Sequence, residues 1–488
     1  MTQHPSREPS QLGLGGYHWS LPSFLRWLGA YLALPNLAFV TAGQFIYLTR
    51  PAVNIDYLLL GSVAGLLSKR TAMVVYAVLL TNDAFVSLSP VFHFGLDTAL
   101  TSVTLALVMR LVFSWRAVLL LGGVASVAII GERITRDGER RVRPSLLIVA
   151  LLVLGVDTLG GTSAWYRTDA ALLRVNVATS ALYKTTAVIG RELVGARANV
   201  MAPRVLSGPP ATDALRSSLI AGSHTDSLGA RHVLLVIVES LGHSVDRNGD
   251  STVLAPLLSL SIRARYDIRS GTVRTHGATT SGELRELCNI DADYRVVDEV
   301  DANACLPSLF RAHRFRTIAV HGYTQGFFAR YQWYPRIGFD QVVFAEQLTQ
   351  QSGIALCGTT FRGVCDADAS RAVAQQLTSA PLDEQRFVYW LTLTSHLPVD
   401  RRAASASTLD CQQIEGAQQS KDVCALMRMH RLVAEEVASI ALDPALPRTR
   451  FVLVGDHPPP FFSRTTRSVF GAEDVPFVEL IPKPAFRH

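Results

Sequence analysis

The chain has 488 residues with a formal net charge of +6; 49% are hydrophobic and only 18% charged. Its mean hydropathy is +0.23. So low a charged fraction with positive mean hydropathy excludes a disordered or fibrous protein.

Apolar residues are concentrated early. Between Arg26 and Arg50, residues Leu28 to Thr49 carry no charge, enough for the roughly 20 residues that span a bilayer core. Further apolar stretches run over Ile55–Ser68, about 71–92, within 96–131, and from Pro144 to about Trp165. Arg110 and Arg116 interrupt the fourth, which could hold one helix or two. The pattern predicts a transmembrane bundle of about five helices over residues 27–165, after a cytoplasmic tail at 1–26. A secretory signal peptide does not fit, because the first run is too long and more apolar segments follow. Lys69-Arg70 and the loop Glu132–Arg143 (ERITRDGERRVR) place their side in the cytoplasm, so five crossings put the rest of the chain outside. Asp56, Asp83 and Asp97 either face a cavity or mark helix ends. Residues 166–230 read as interfacial helices, around Ala170–Val200, followed by a linker at Ser207–Ser227 rich in Gly, Pro and Ser. These helices are either a tether that holds the active site near lipid or ordinary connectors.

The region 231–488 reads as an extracytoplasmic α/β domain. All six cysteines fall here, which points to an oxidising compartment. Sequence alone does not fix their connectivity; the short-loop pairs 288–305, 357–365 and 411–424 are expected. No basic face interleaved with aromatics occurs, so nucleic acid is not an expected partner. Four apolar runs, His232–Val238, Thr317–Val320, Phe387–Leu393 and Phe451–Val454, lack polar alternation and predict strands buried on both faces of a mostly parallel sheet. Helical stretches such as Arg371–Thr378 and Val423–Leu442 lie between them.

Each run delivers polar residues to one carboxyl edge, where ligand sites form: Glu239-Ser240, His321-Gly322, Thr394-Ser395-His396 and Gly455-Asp456-His457. Glu, Asp and His together suit one divalent cation, Zn²⁺ or Mn²⁺. The candidate nucleophile lies in His276-Gly277-Ala278-Thr279-Thr280-Ser281-Gly282-Glu283. A metal-held threonine alkoxide is the functional reading there; a helix cap from Thr280 or Ser281 is the structural one.

These motifs resemble the membrane-bound phospholipid head-group transferases of the alkaline phosphatase superfamily: lipoteichoic acid synthases, periplasmic-glucan phosphoglycerol transferases and lipid A phosphoethanolamine transferases. Val238-Glu239-Ser240 resembles the family's metal glutamate. Gly277-x-Thr279 with Glu283 matches its nucleophile motif, and Gly455-Asp456-His457 its paired ligands. Thr279 also stands nine residues before Cys288, as in the glucan enzymes. The resemblance implies an alkaline-phosphatase-like (sulfatase) fold with Thr279 as nucleophile and Glu239, Thr279, Asp456 and His457 as metal ligands. It further implies a head-group pocket of His321, Phe328, Arg330 and His396, with Phe where the synthases have Trp. A phospholipid donor, phosphatidylglycerol or phosphatidylethanolamine, would give its head group to a glycan or lipid acceptor at the inner membrane. A hydrolase using water at the same site, or a non-catalytic metal-binding partner of an envelope assembly, are the rival readings. Cys305-Leu306-Pro307-Ser308 starts a sulfatase maturation signature, but Leu309 stands where Arg is required, so sulfatase activity is not expected.

Overall fold

The computed structural model describes residues 20–45, 51–88, 122–123, 125–131, 143–159, 178–186, 203–221, 228–275, 277–292, 294–350, 353–358, 361–461 and 464–484. The chain divides into two compact units, one N-terminal and one built on residues after 188.

In the N-terminal unit, helix Leu21–Leu28 continues through a π-turn, Gly29–Ala33, into Leu34–Phe45. Pro35 explains the turn: it has no N–H to donate one turn back, and its ring crowds that carbonyl. Helices Asp56–Val63, Lys69–Leu88 and Arg143–Leu159 follow. Among the described residues no helix is long and apolar enough to cross a membrane. Lys69–Leu88 includes Lys69, Arg70 and Asp83, and Arg143–Leu159 has 17 residues, fewer than the roughly 20 of a full span. Most of the expected span within 96–131, and Asp97, lie outside the described residues. The unit has an apolar core that includes Trp27, Tyr57, Leu58, Leu80 and Leu146, yet many apolar side chains lie outside it and several polar ones inside. Leu37, Leu66, Val74, Val78, Leu151 and Leu152 are exposed, while Asn36, Asn54, Asp56, Asp83 and Ser87 are buried. Asp56 sits at a helix start and accepts from Ser180 Oγ (2.5 Å) and Leu182 N–H (2.8 Å). Asp83 lies mid-helix and accepts from Tyr57 Oη at 2.8 Å.

The second unit carries a seven-stranded sheet. Its strands are β1 (His232–Val238), β2 (Tyr266–Arg274), β3 (Phe315–His321), β4 (Gln341–Val343), β5 (Gln385–Leu391), β6 (Thr449–Gly455) and β7 (Asp474–Pro482). They lie in the order β2-β7-β6-β1-β5-β3-β4. Neighbours from β6 to β4 are parallel, whereas β7 and β2 complete one edge in antiparallel fashion. All seven residues of β1 are buried. Its side chains alternate between two cores, Leu234, Val236 and Val238 in one, Val233, Leu235 and Ile237 in the other. Burying each such side chain contributes about 1.5–3 kcal/mol.

The helices that cover the sheet are α1 (Asp213–Ile220), α2 (Thr279–Cys288), α3 (Leu306–Ala312), α4 (Arg330–Arg336), α5 (Asp366–Thr378) and α6 (Lys421–Leu442). Ala369, Val373 and Leu377 of α5 recur at four-residue spacing and join α6 in the first core. The second core takes Leu215 and Leu219, Leu284 and Leu287, and Phe310 from α1, α2 and α3. Helix α1 thus lies inside the stretch read as a linker, held by its buried apolar face. Most of 170–200 is outside the described residues.

Disulfides join Cys288 to Cys305, Cys357 to Cys365 and Cys411 to Cys424, the short-loop pairs. The first ties the end of α2 to the start of α3; closing a loop of this size removes about 3 kcal/mol of unfolded-chain entropy.

His232 gives the fold a pH dependence. Its Nδ1 accepts the Arg386 N–H at 3.0 Å, and its Nε2 has no hydrogen-bond partner among the described residues. Burial, then the charges of Arg231 and Arg386, pushes its pKa down to about 4. The folded state therefore keeps it neutral while the unfolded chain takes up a proton below about 6.5. Stability is expected to fall by roughly 2–3 kcal/mol as pH drops from 6.5 towards 4. His232→Asn keeps an acceptor but does not titrate, so its urea midpoint should fall less steeply. Equal slopes would refute this.

Candidate metal centre

The carboxyl edges of β1 and β6 adjoin, and Glu239, Asp456 and His457 follow directly. Their ligand atoms all lie within 4.8 Å of one another, and all three residues are buried. Two glycines allow the approach of neighbouring chain. A Cβ on Gly282 would stand 2.9 Å from the Asp456 backbone, and one on Gly455 2.0 Å from Leu241 O. Helix α2 can therefore press its first turn against the metal-ligand strand, which carries Thr279 into the cluster. Thr279 Oγ1 donates to Glu239 Oε2 at 3.1 Å and lies 3.3 Å from His457 Nε2.

Each group is held by its own supports. Ser240 adopts φ 57°, an uncommon left-handed conformation for a non-glycine residue, and this turn aims its N–H at Asp456 Oδ1 (2.7 Å). The His457 N–H donates to the same oxygen at 2.6 Å. Asp456 Oδ2 is buried with no hydrogen-bond partner among the described residues. The Glu239 N–H donates to Thr392 Oγ1 (2.9 Å), and its carbonyl accepts from Ser395 Oγ (2.6 Å) and lies 3.2 Å from His430 Nε2. Nδ1 of His457 lies 2.9 Å from Pro458 O. That contact assigns the proton to Nδ1 and turns Nε2 towards the carboxylates. Arg285, on α2, donates to the carbonyls of Asp456 (3.1 Å) and Gly455 (2.6 Å).

The electrostatics show a deficit of positive charge. Burial works to raise Glu239, but the hydrogen bond from His457 and the charges of His396 and His457 hold it below the ordinary carboxylate range. Burial and then the Glu239 charge push Asp456 up to about 8. Burial opposes protonation of His457, yet Asp456 and Glu239 raise it to about 9. Alone, the cluster offsets its charge with protons. The unpartnered Asp456 Oδ2, the Nε2 of His457 and the Glu239 carboxylate fit a divalent cation, with Thr279 Oγ1 as a fourth donor.

The residues expected to line a head-group pocket are His321, Phe328, Arg330 and His396. His321 ends β3, and its Nδ1 lies 3.0 Å from Leu391 O. Burial and then the Arg330 charge push it down to about 3, against the pull of Glu239, so it is neutral. His396 packs against the Phe361 ring, centroids 4.1 Å apart, and its Nδ1 lies 2.8 Å from Leu397 O. Phe328 packs on Phe327 (4.1 Å) and lies 5.1 Å from the Arg330 guanidinium carbon. Arg330 departs from expectation. Its Nε and Nη2 donate to Glu283 at 3.1 and 2.7 Å, so the fork expected to grip phosphate is taken by a carboxylate. Helix α2 starts at Thr279 with Ala278 as N-cap and no side-chain cap bond, so the cap reading of the Thr/Ser turn does not hold. His276 lies outside the described residues. Sequence reasoning missed Arg285, Thr392 and His430. They act through the backbone of Glu239, Gly455 and Asp456, and no spacing links them to the motifs.

Solved structures of similar fold include the lipoteichoic acid synthase LtaP from Listeria monocytogenes, at 16% identity and TM-score 0.38, with 52% of this chain and 66% of that one covered. The Streptococcus pyogenes phosphoglycerol transferase GacH in complex with sn-glycerol-1-phosphate is 13% identical, TM-score 0.38, covering 57% and 78%. The C-terminal periplasmic domain of EcEptC from Escherichia coli is 13% identical, TM-score 0.34, covering 52% and 73%. The chain spans less than two thirds of the Listeria enzyme. No curated protein matches it in sequence. Cys305 is bonded to Cys288. It is therefore not a free thiol. The Sulfatase family profile matches residues 231–475, just over half of the chain and the whole span from β1 to the start of β7. This chain belongs to the sulfatase family.

Proposed function

We propose that the protein is a metal-dependent transferase that moves a phosphoglycerol head group from a phospholipid to a glycan or lipid acceptor. The observation that carries the reading is a threonine hydroxyl hydrogen-bonded into a buried Glu-Asp-His cluster at the carboxyl edge of a parallel sheet. A bound Zn²⁺ or Mn²⁺ would be held by Glu239, Asp456, His457 and Thr279, and would supply Lewis acidity to the hydroxyl and to phosphoryl oxygens. Thr279 Oγ1 attacks phosphorus; the bond to the diacylglycerol oxygen breaks, and that oxygen leaves with the proton. The resulting phosphothreonine is then attacked by an acceptor hydroxyl, which restores Thr279. His321 and His396 would hydrogen-bond phosphoryl or head-group oxygens, and Phe328 would wall the pocket.

Phosphatidylglycerol is favoured over phosphatidylethanolamine because Arg330 is cationic and its neighbouring carboxylate, Glu283, is already saturated. No anion is left there for an ammonium. Three disulfides support an extracytoplasmic catalytic domain. The many large apolar side chains exposed on the N-terminal unit, Leu37, Val74, Val78, Leu151 and Leu152 among them, support a membrane setting. Supplying phosphatidylglycerol and phosphatidylethanolamine separately and following diacylglycerol release tests the proposal. Release from phosphatidylglycerol is expected; turnover of phosphatidylethanolamine alone would overturn the head-group assignment.

A further inference from the structure

Glu283 lies one helical turn after Thr279 on α2, on the same side of the helix. Its carboxylate is wholly buried and accepts four hydrogen bonds. Arg330 gives two of these, Tyr389 Oη one at 2.9 Å, and Tyr334 Oη the fourth. Burial and the Glu283 charge push both tyrosines well above their ordinary pKa, so they stay protonated donors. Four donors on one carboxylate leave it no capacity for a ligand.

Arg330 is the opposite case. It is 1% exposed, yet its Nη1 has no hydrogen-bond partner among the described residues. Phe327 and Phe328 lie 5.8 and 5.1 Å from the guanidinium carbon. The Trp333 indole N–H donates to Phe328 O at 3.1 Å, which braces that segment. Through Glu283 the guanidinium is tied to α2, the helix whose first turn carries Thr279 into the metal cluster. A buried donor without a partner is costly, and its retention calls for a ligand acceptor.

We propose that Glu283, Tyr334 and Tyr389 are positioning residues that lock Arg330 so that its Nη1 stays open for an oxygen acceptor of the transferred head group. The proposal rests on the transferase reading above. A hydroxyl or phosphoryl oxygen can accept from Nη1; an ammonium cannot, and meets a fixed cation. The network therefore sets head-group selectivity without touching the reacting atoms.

The test uses the full-length enzyme with phosphatidylglycerol and phosphatidylethanolamine vesicles. Tyr389→Phe removes one hydroxyl and leaves the ion pair, so it keeps the test open if Glu283→Gln fails to fold. Tyr389→Phe should raise KM for phosphatidylglycerol by about 3- to 10-fold with kcat within about twofold. Glu283→Gln should raise it further and shift the turnover ratio towards phosphatidylethanolamine. In an Arg330→Gln background either change should add less than about twofold, because both act through Arg330. Bound metal should stay at the wild-type level in each variant. Unchanged KM with lowered kcat or lost metal, or full additivity with Arg330→Gln, overturns the network alone. A wild type that turns over neither lipid overturns the transferase reading and this proposal with it.

Discussion

Thr279→Ala is expected to lose more than about 10³-fold in kcat while the protein stays folded. The hydroxyl donates to Glu239 from the first turn of a helix that Gly282 and Arg285 fasten to the Asp456 strand. Deleting it removes one hydrogen bond, worth about 1 kcal/mol, and leaves the packing of Leu284 and Leu287 intact. Incubated with phosphatidylglycerol, wild type should gain the mass of one phosphoglycerol group on Thr279, and Thr279→Ala none. Thr279→Ser restores a hydroxyl at the same place and should recover part of the activity. Thr280 stands next in the chain, but the hydroxyl bonded into the cluster is that of Thr279, so Thr280→Ala should keep the adduct. An adduct that persists on Thr279→Ala would remove Thr279 as the nucleophile.

Why Thr279 and its cluster were legible in the sequence follows from how the sheet is buried. A strand covered on both faces must be apolar at every position, so β1 and β6 appear as uninterrupted runs that end abruptly at Glu239 and Asp456. Parallel strands share one carboxyl edge, and that abrupt end alone places both residues on it. The antiparallel edge was not legible. Tyr266–Arg274 is exposed at most positions and carries Asp267, Arg269 and Arg274, while Asp474–Pro482 contains Pro476 and Glu479. Neither shows the apolar pattern that marked the buried strands.

What holds Arg330 was not legible for a related reason. Its spacing from His321 says that it reaches the pocket, not which of its nitrogens remains free. The partner that decides this, Glu283, is 47 residues away. The same limit applies to the apolar N-terminal runs. Hydropathy measures how apolar a stretch is, but Pro35 and the buried Asp83 act on helix geometry and on which face turns inward.

Glu239→Ala and Asp456→Ala are each expected to lose bound metal and activity together. Among the described residues, three buried metal-ligating groups besides Thr279 converge here, and two of them are carboxylates. Removing one takes away a ligand and half of the formal negative charge facing the cation. Affinity should fall by more than the roughly 10- to 100-fold typical of losing a supporting contact around a metal. Thermal unfolding gives an independent reading. An ion that binds only the folded state stabilises it by about 2.7 kcal/mol at a hundred times its Kd. Adding Zn²⁺ or Mn²⁺ to the metal-free wild type should therefore raise Tm, and in either variant the rise should vanish. Asp456→Asn sharpens the test, since it keeps the acceptor for the Ser240 and His457 N–H groups while deleting the charge. Burial and then the Glu239 charge push Asp456 up to about 8, and asparagine carries no charge to bury, so the metal-free variant should be at least as stable as metal-free wild type. It should nonetheless bind no ion. Elemental analysis that still finds one metal per chain in both alanine variants would place the cation elsewhere.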